Sequence, residues 1–201
     1  MQDKKMPSRR QAVSDESRQL LEQSATALFA SRMYDEISID AIAQNAGMTK
    51  GAFYHHFQSK KEVFEACYRS QIERIIQSVN SRKDASDAAE AAIEQTGAFL
   101  QFVLSHHKEL ISLDKAISVL GWPLWKKMES EAFFPLISQS LSQLQTEGRL
   151  VNQPIPLLCD MLHGILFNAV MSMAHAANPK LNMQDSMAIF KRFFNALIES
   201  S

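Results

Sequence analysis

Apolar residues recur along the chain at intervals of three and four, and no run alternates apolar with polar positions at a period of two. That spacing gathers them on one face of a helix, and it predicts an all-α fold. The first stripe is Leu21, Ala25, Leu28 and Phe29. It belongs to a helix starting near Ser14, a residue type suited to an N-cap, with Asp15 and Glu16 at the positive end of the helix dipole. A connection from Ser31 to Ile37 leads to a short second helix, Ile39 to Ala46. Ser38 caps it, and Ile37 staples against Ile42 across the cap. Gly47 ends it where a left-handed residue is needed. Met48 fills the turn, and Thr49 caps a third helix, Lys50 to about Phe57. Ser59 and Glu62 read as a capping box for a long fourth helix. It carries Val63, Cys67, Tyr68, Ile72, Ile75, Ile76 and Val79, and ends within 80–83.

Five more helices are expected near 85–106, 108–119, 123–148, 156–177 and 183–199, about nine in all. Gly121, Gly148, Pro154 and Pro179 punctuate them.

Composition places these helices in an ordinary globular chain. It is 201 residues long, 46% hydrophobic and 21% charged, enough for two small domains with real cores. Cys67 and Cys159 fall inside apolar helical patterns, so a reducing cytoplasm is expected and a disulfide framework is not. Met1 to Gln11 is polar and basic and lacks the apolar core of a signal peptide. The most apolar stretch, 157–177, contains Asp160, His163, Asn168 and His175, which reads as a buried packing helix rather than a membrane span. Residues 1–82 hold 12 Lys+Arg against 10 Asp+Glu, and the remainder holds 9 against 12. Lys4, Lys5, Arg9 and Arg10 form a basic arm, which fits either an electrostatic footprint on phosphates or a solvated tail.

The informative stretch is Ser38 to Phe57. Two short helices joined by a tight glycine turn make a helix-turn-helix, whose second helix enters the major groove of DNA. Phe53 and Phe57, four apart, share the inward face. His55 lies nearly opposite Phe53, with Tyr54 and His56 on its flanks. An outward wedge of this kind brings its centre to bases and its flanks to the phosphate walls. Gly51 and Ala52 are small enough for close backbone approach, and Lys50 adds a donor. No nucleophile elbow, phosphate loop, metal-ligand motif or dinucleotide fingerprint occurs, so neither catalysis nor a cofactor is expected. His55 and His56 diverge by about 100° on a helix and do not converge on a metal ion. His106, His107, His163 and His175 lack zinc-like spacing.

From Ser14 to Tyr68 the chain resembles the DNA-binding domain of the TetR family. The matching pieces are Ala25-x-x-Leu-Phe29, Ile37-Ser-Ile-Asp-Ala-Ile-Ala43, Ala46-Gly-Met-Thr-Lys-Gly-Ala-Phe-Tyr-His-His-Phe57 and Ser59-Lys-Lys-Glu62. The resemblance implies a basic arm (1–13), a three-helix DNA-binding domain (14–60, with the linking fourth helix to about 82) and a helical effector-binding and dimerisation domain (61–201). It also implies base contacts from Lys50, Gly51 and Ala52, and phosphate contacts from Ser38, Thr49, Tyr54, His56 and Lys60, with His55 suited to either. Two positions depart from the family pattern. Met33 precedes Tyr34 where glycine is common, and Ala52 replaces a frequent Thr or Ser, leaving an apolar contact suited to a thymine methyl.

The family's second domain implies a homodimer through the last two helices, reading a palindromic operator on double-stranded DNA. Met183, Met187, Phe190, Phe194 and Leu197 form a stripe for that interface or for an intradomain core, and Gly164 would allow close helix approach. Phe99, Phe102, Trp122, Trp125, Phe133, His163, Phe167 and Met171, with Asn168 as a further polar group, either line an effector pocket or fill the core. Ten methionines suit a plastic interior and an apolar or aromatic effector. The expected function is a cytoplasmic repressor released by that effector; the alternative is a helical protein-interaction module without an operator.

Overall fold

The structure is a computed structural model, and the residues it describes are 9–80 and 87–198. Lys4 and Lys5 of the basic arm, the junction between the fourth and fifth helices, and Glu199 lie outside them. Among the described residues the fold is nine α-helices: α1 (Arg9–Ser31), α2 (Ile39–Asn45), α3 (Lys50–His56), α4 (Lys60–Asn80), α5 (Ala88–His106), α6 (Leu113–Leu120), α7 (Trp122–Thr146), α8 (Ile155–His175) and α9 (Pro179–Ala196). A single 3-10 turn, Tyr34–Glu36, follows α1. The one extended pairing among these residues is an isolated antiparallel bridge between Leu150 and Ile198.

Three expected boundaries move for local reasons. Helix α1 begins before Ser14, so that serine sits inside the helix rather than at its cap; one turn on, the Ser17 hydroxyl donates to Val13 O (2.9 Å), as serines in helix interiors do. Helix α6 starts at Leu113 rather than near 108, because Ser112 accepts from the Lys115 N–H (3.4 Å) and opens the helix there. Pro179 does not separate helices. It is the first residue of α9, where its missing N–H costs nothing, and Asn178 Oδ1 caps the end by accepting from Leu181 N–H (3.1 Å).

The chain divides into two compact units. One runs to Ser70 and takes in Lys108–Leu120, so that α6 groups with α1 to α3 although it follows α5 in sequence. Its core is Leu21, Ala25, Phe29, Ile37, Ile42, Phe53, Phe57, Val63, Phe64 and Tyr68, all at most 2% exposed. Phe29 meets Phe64 edge-on at 4.9 Å and stacks on Tyr34 at 5.7 Å. Lys115 of α6 donates to Arg32 O (2.8 Å) and to Phe29 O, supplying donors to carbonyls that the end of α1 leaves open. Burial lowers the pKa of that ammonium.

The other unit holds Gln71–His107 and the described residues from Gly121 onward. Here α5 packs against α7, α8 and α9, α7 against α8, and α8 against α9. Helix α7 closes with Gly148 at φ 69°: its N–H bonds to Gln145 O (3.0 Å), and the next N–H, of Arg149, bonds to Leu144 O (2.9 Å). Arg149 then pairs with Asp87, the cap of α5, and with Glu147 (3.0 Å). Phe190 and Phe194, stacked at 5.7 Å, are buried with Leu141, Leu144, Leu158 and Leu162, and Met187 and Leu197 pack against that cluster. Met183 packs against a neighbouring cluster around Leu100 and Met173. The apolar stripe of α9 therefore packs into its own unit's core, the second of its two expected readings. The large apolar side chains left in solvent on the last two helices are others: Leu157 and Met161 on α8, and Leu181, Ile189 and Phe193 on α9. A Cβ at Gly164 would meet nothing within 4 Å, so packing within the chain does not require glycine there.

Candidate functional site

The α2–turn–α3 segment is built by caps acting within four residues. Ser38 Oγ accepts from Ala41 N–H (3.0 Å) and Thr49 Oγ1 from Ala52 N–H (3.2 Å). Between them Gly47 takes φ 69°, with Gly47 N–H on Gln44 O (3.0 Å) and Met48 N–H on Ala43 O (2.8 Å). This paired closure of α2 is the one that favours glycine, since a side chain in the left-handed region is strained. Ser24 of α1 is buried; its hydroxyl donates to Ile42 O (2.7 Å) and accepts from Asn45 Nδ2 (3.0 Å), pinning α2 to α1. Phe53 and Phe57 are 0% and 1% exposed, whereas Tyr54 is 50% exposed on the other side of α3. His55, Lys50, Gly51, Ser38 and Thr49 are also exposed, and Ala52 and His56 are half-buried.

The far end of α3 is held by Arg18. Its guanidinium donates to His56 O (3.0 Å), lies 4.2 Å over the Phe57 ring and pairs with Glu22 (3.1 Å). Burial first, then the nearby His55 and Arg18, lower the pKa of His56, which favours the neutral ring. Lys50 pairs with Asp40 of α2 at 2.8 Å, and that hydrogen bond raises the lysine's pKa. Lys60 is placed differently: Nζ donates to Tyr34 O and Ile37 O, both at 2.8 Å, and lies 4.1 Å over the Tyr34 ring. Two of its three N–H donors thus hold the connection between α1 and α2. The capping box at the start of α4 forms with a shift of one residue: Ser59 Oγ accepts from Glu62 N–H (3.1 Å), but Glu62 Oε2 accepts from Gln58 N–H (2.6 Å).

In the second unit, six of the eight proposed pocket residues form one network of ring contacts. Trp125 meets Trp122 (5.0 Å), Phe167 (5.2 Å) and His163 (6.5 Å), and Phe133 meets Phe99 (5.7 Å) and His163 (6.2 Å). Phe102 instead stacks on His106 at 4.2 Å, and Met171 makes none of these ring contacts. Asn168 is exposed and donates to Gly164 O (2.9 Å), so it does not serve as the cluster's polar group. Glu129 does: it is buried, with Oε2 3.5 Å from His163 Nε2.

Two family models match the sequence. Residues 23–67 match the model described as bacterial regulatory proteins, tetR family, and residues 89–197 match the tetracyclin repressor-like C-terminal domain. The Transposon Tn10 TetC protein of Escherichia coli is 30% identical over 162 residues, 81% of each chain. The chain belongs to the TetR family. Among solved structures, a TetR-family transcriptional regulator from Pectobacterium atrosepticum superposes with a TM-score of 0.79 at 23% identity, covering 96% of this chain and 99% of that one. RolR, solved with resorcinol, superposes at 0.66 and 21% identity, covering 90% and 89%.

As a TetR-family member the chain is a DNA-binding transcriptional regulator, and its relatives are regulators rather than enzymes. Sequence reading of this TetR chain passed over Arg18, Ser24, Asp40 and Glu129. Only Glu129 left a trace, as a carboxylate in the i, i+4, i+8 line Trp125–Glu129–Phe133 of α7. Lys50 and Lys60, to which the resemblance gives a base contact and a phosphate contact respectively, are expected to separate by experiment. Lys50→Met lowers the slope of log affinity against log salt by about one for each half-site, as loss of a phosphate contact does. Lys60→Met lowers the melting temperature and moves that slope less; salt titrations of operator binding beside thermal melts read both.

Proposed function

We propose that this regulator is a cytoplasmic repressor that binds a palindromic operator as a homodimer through α3 and releases it when a small molecule occupies the aromatic cluster of its second unit. The observation that carries the DNA half is the two-sidedness of α3: Phe53 and Phe57 are buried while Tyr54 and His55 face solvent. Gly51 and Ala52 let the start of α3 approach base edges, Lys50 leaves Asp40 for a guanine or a phosphate, and Ser38, Thr49, Tyr54 and His56 meet the phosphates. Lys60 contributes at most its one remaining donor. Paired α3 helices about 34–36 Å apart fit half-sites one helical turn apart. RolR carries resorcinol in its own structure, which supports an aromatic effector here. Helix α4 contributes residues to both units, so an effector that favours one orientation of α4 shifts the spacing of the paired α3 helices and the operator affinity with it.

The test is a gel shift with the DNA upstream of the chain's own gene at two salt concentrations. Specific binding persists against competitor DNA and weakens as salt rises; a shift that competitor removes entirely overturns the reading. Acidity provides a second readout. Burial and the nearby His55 and Arg18 hold the His56 pKa below its ordinary value in the free protein, and a phosphate beside it favours the imidazolium, so binding takes up a proton. Operator affinity therefore rises as pH falls through and just below about 6.5. His56→Gln flattens this rise, as anisotropy titrations across that range measure.

A further inference from the structure

Asp40 places a carboxylate beside the start of the DNA-reading helix, where phosphates would repel it. It is the second residue of α2 and pairs at 2.8 Å with Lys50, the first residue of α3. Both side chains are more than half exposed, and Tyr54, one turn beyond Lys50, is exposed as well. The surface beside the pair is open: within 4 Å a Cβ at Gly51 would meet only Thr49 Oγ1 (3.8 Å). A carboxylate is acceptor-only and an ammonium donor-only. Together they present one acceptor next to a set of donors, both pointing out of the protein.

We propose that Asp40 and Lys50 jointly read one G·C base pair in each half-site, Lys50 donating to guanine O6 and N7 and Asp40 accepting from the cytosine N4 amino group. This deepens the reading of α3 as the DNA-reading helix, and rests on it. Guanine O6 and cytosine N4 are hydrogen-bonded to each other in the base pair, about 2.9 Å apart. Their edges therefore offer an acceptor and a donor at nearly the separation of the Asp40–Lys50 pair. When the ion pair opens onto that edge, each charged group exchanges one partner for another and neither is left unpaired. An A·T pair gives the ammonium a single acceptor at N7, and its other acceptor stands beside the thymine methyl. A reversed pair, C·G, sets the amino group against Lys50 and the guanine acceptors against Asp40. On random sequence the pair stays closed, which keeps Lys50 from the phosphates and limits non-specific affinity.

The experiment selects duplexes from a randomised pool with the full-length protein. Anisotropy then follows the selected duplex with single groups altered at each of its G·C pairs. N4-methylcytosine keeps the base pairing and blocks the groove-facing amino hydrogen; 7-deazaguanine removes N7. At one G·C pair per half-site, N4-methylcytosine is expected to weaken wild-type binding at least about fivefold and to add no penalty for Asp40→Ala. At the same pair 7-deazaguanine penalises wild type and Asp40→Ala but not Lys50→Met. Asp40→Ala binds random-sequence DNA at least as tightly as wild type, because Lys50 is then free for phosphates. A selected duplex with no G·C pair sensitive to N4-methylcytosine, or a penalty that persists in Asp40→Ala, overturns the proposal and leaves α3 as the reading helix. So does an Asp40→Ala protein that loses random-sequence binding too, because the ion pair is then only structural. A pool that yields no enriched duplex overturns the DNA reading itself, and this proposal with it.

Discussion

Phe193→Asp is expected to turn the protein into a monomer and to lower operator affinity by roughly 10²–10⁴, the factor gained when a second half-site is engaged intramolecularly. Phe193 and Ile189 are 57% and 52% exposed and lie four residues apart on α9; Leu157 and Met161 of α8 are 53% and 60% exposed with the same spacing. Two adjacent helices that each leave an i, i+4 apolar pair in water carry more exposed apolar surface than isolated residues would, and such patches mark interaction sites. Burying one such side chain contributes about 1.5–3 kcal/mol, and a two-fold axis counts every contact twice. In the proposed dimer, an aspartate at 193 would remove the apolar contact and place a carboxylate from each protomer in the same desolvated seam. Sedimentation velocity reads the monomer directly, and anisotropy with full and half operators reads the affinity. A dimer that survives Phe193→Asp together with Ile189→Asp would move the interface elsewhere. Phe194→Asp is the contrast: Phe194 is 2% exposed, so that change unfolds the second unit instead of freeing intact monomers.

Phe53→Ala is expected to cost about 3–5 kcal/mol in the first unit and to abolish operator binding while the dimer persists. Phe53 is fully buried; its ring lies 5.7 Å from Phe57 and 5.6 Å, edge-on, from Tyr54. Truncation leaves a cavity beneath a helix of only seven residues, too short to hold its shape without that anchor. For a unit of this size the loss lowers the melting temperature by about 4–8 °C per kcal/mol. Calorimetry should show an early transition for the first unit and an unchanged later one for the second. Phe53→Leu, which fills most of the space, should restore part of both stability and binding. If Phe53→Ala binds the operator normally, α3 is not anchored from behind and the DNA-contact assignment falls with it.

How much was legible follows from the range of each interaction. Ser38, Gly47 and Thr49 act on N–H and C=O groups no more than four positions away, so the α2–turn–α3 unit could be read from the order of residues alone. The inward pair Phe53 and Phe57 followed from helical period in the same way. The hold of Lys60 on the α1–α2 connection was not legible, because its partners, Tyr34 O and Ile37 O, are 26 and 23 residues distant. The grouping of α6 with α1 to α3 was not legible either, because Lys115 reaches Arg32 O across 83 residues and no local pattern signals that. The α9 stripe was read as an apolar face correctly, but an apolar face does not say what will cover it.

Local order by itself therefore determined the all-helical fold, the turn geometry and the exposed side of α3, because caps, breakers and helical period are short-range physics. Tertiary structure alone decided that Lys60 meets backbone carbonyls while Lys50 meets Asp40, which side of α9 stays in water, and that Glu129 and His163 meet beside a wall of rings. Those outcomes depend on which distant groups desolvate one another, and that is settled only when the helices pack.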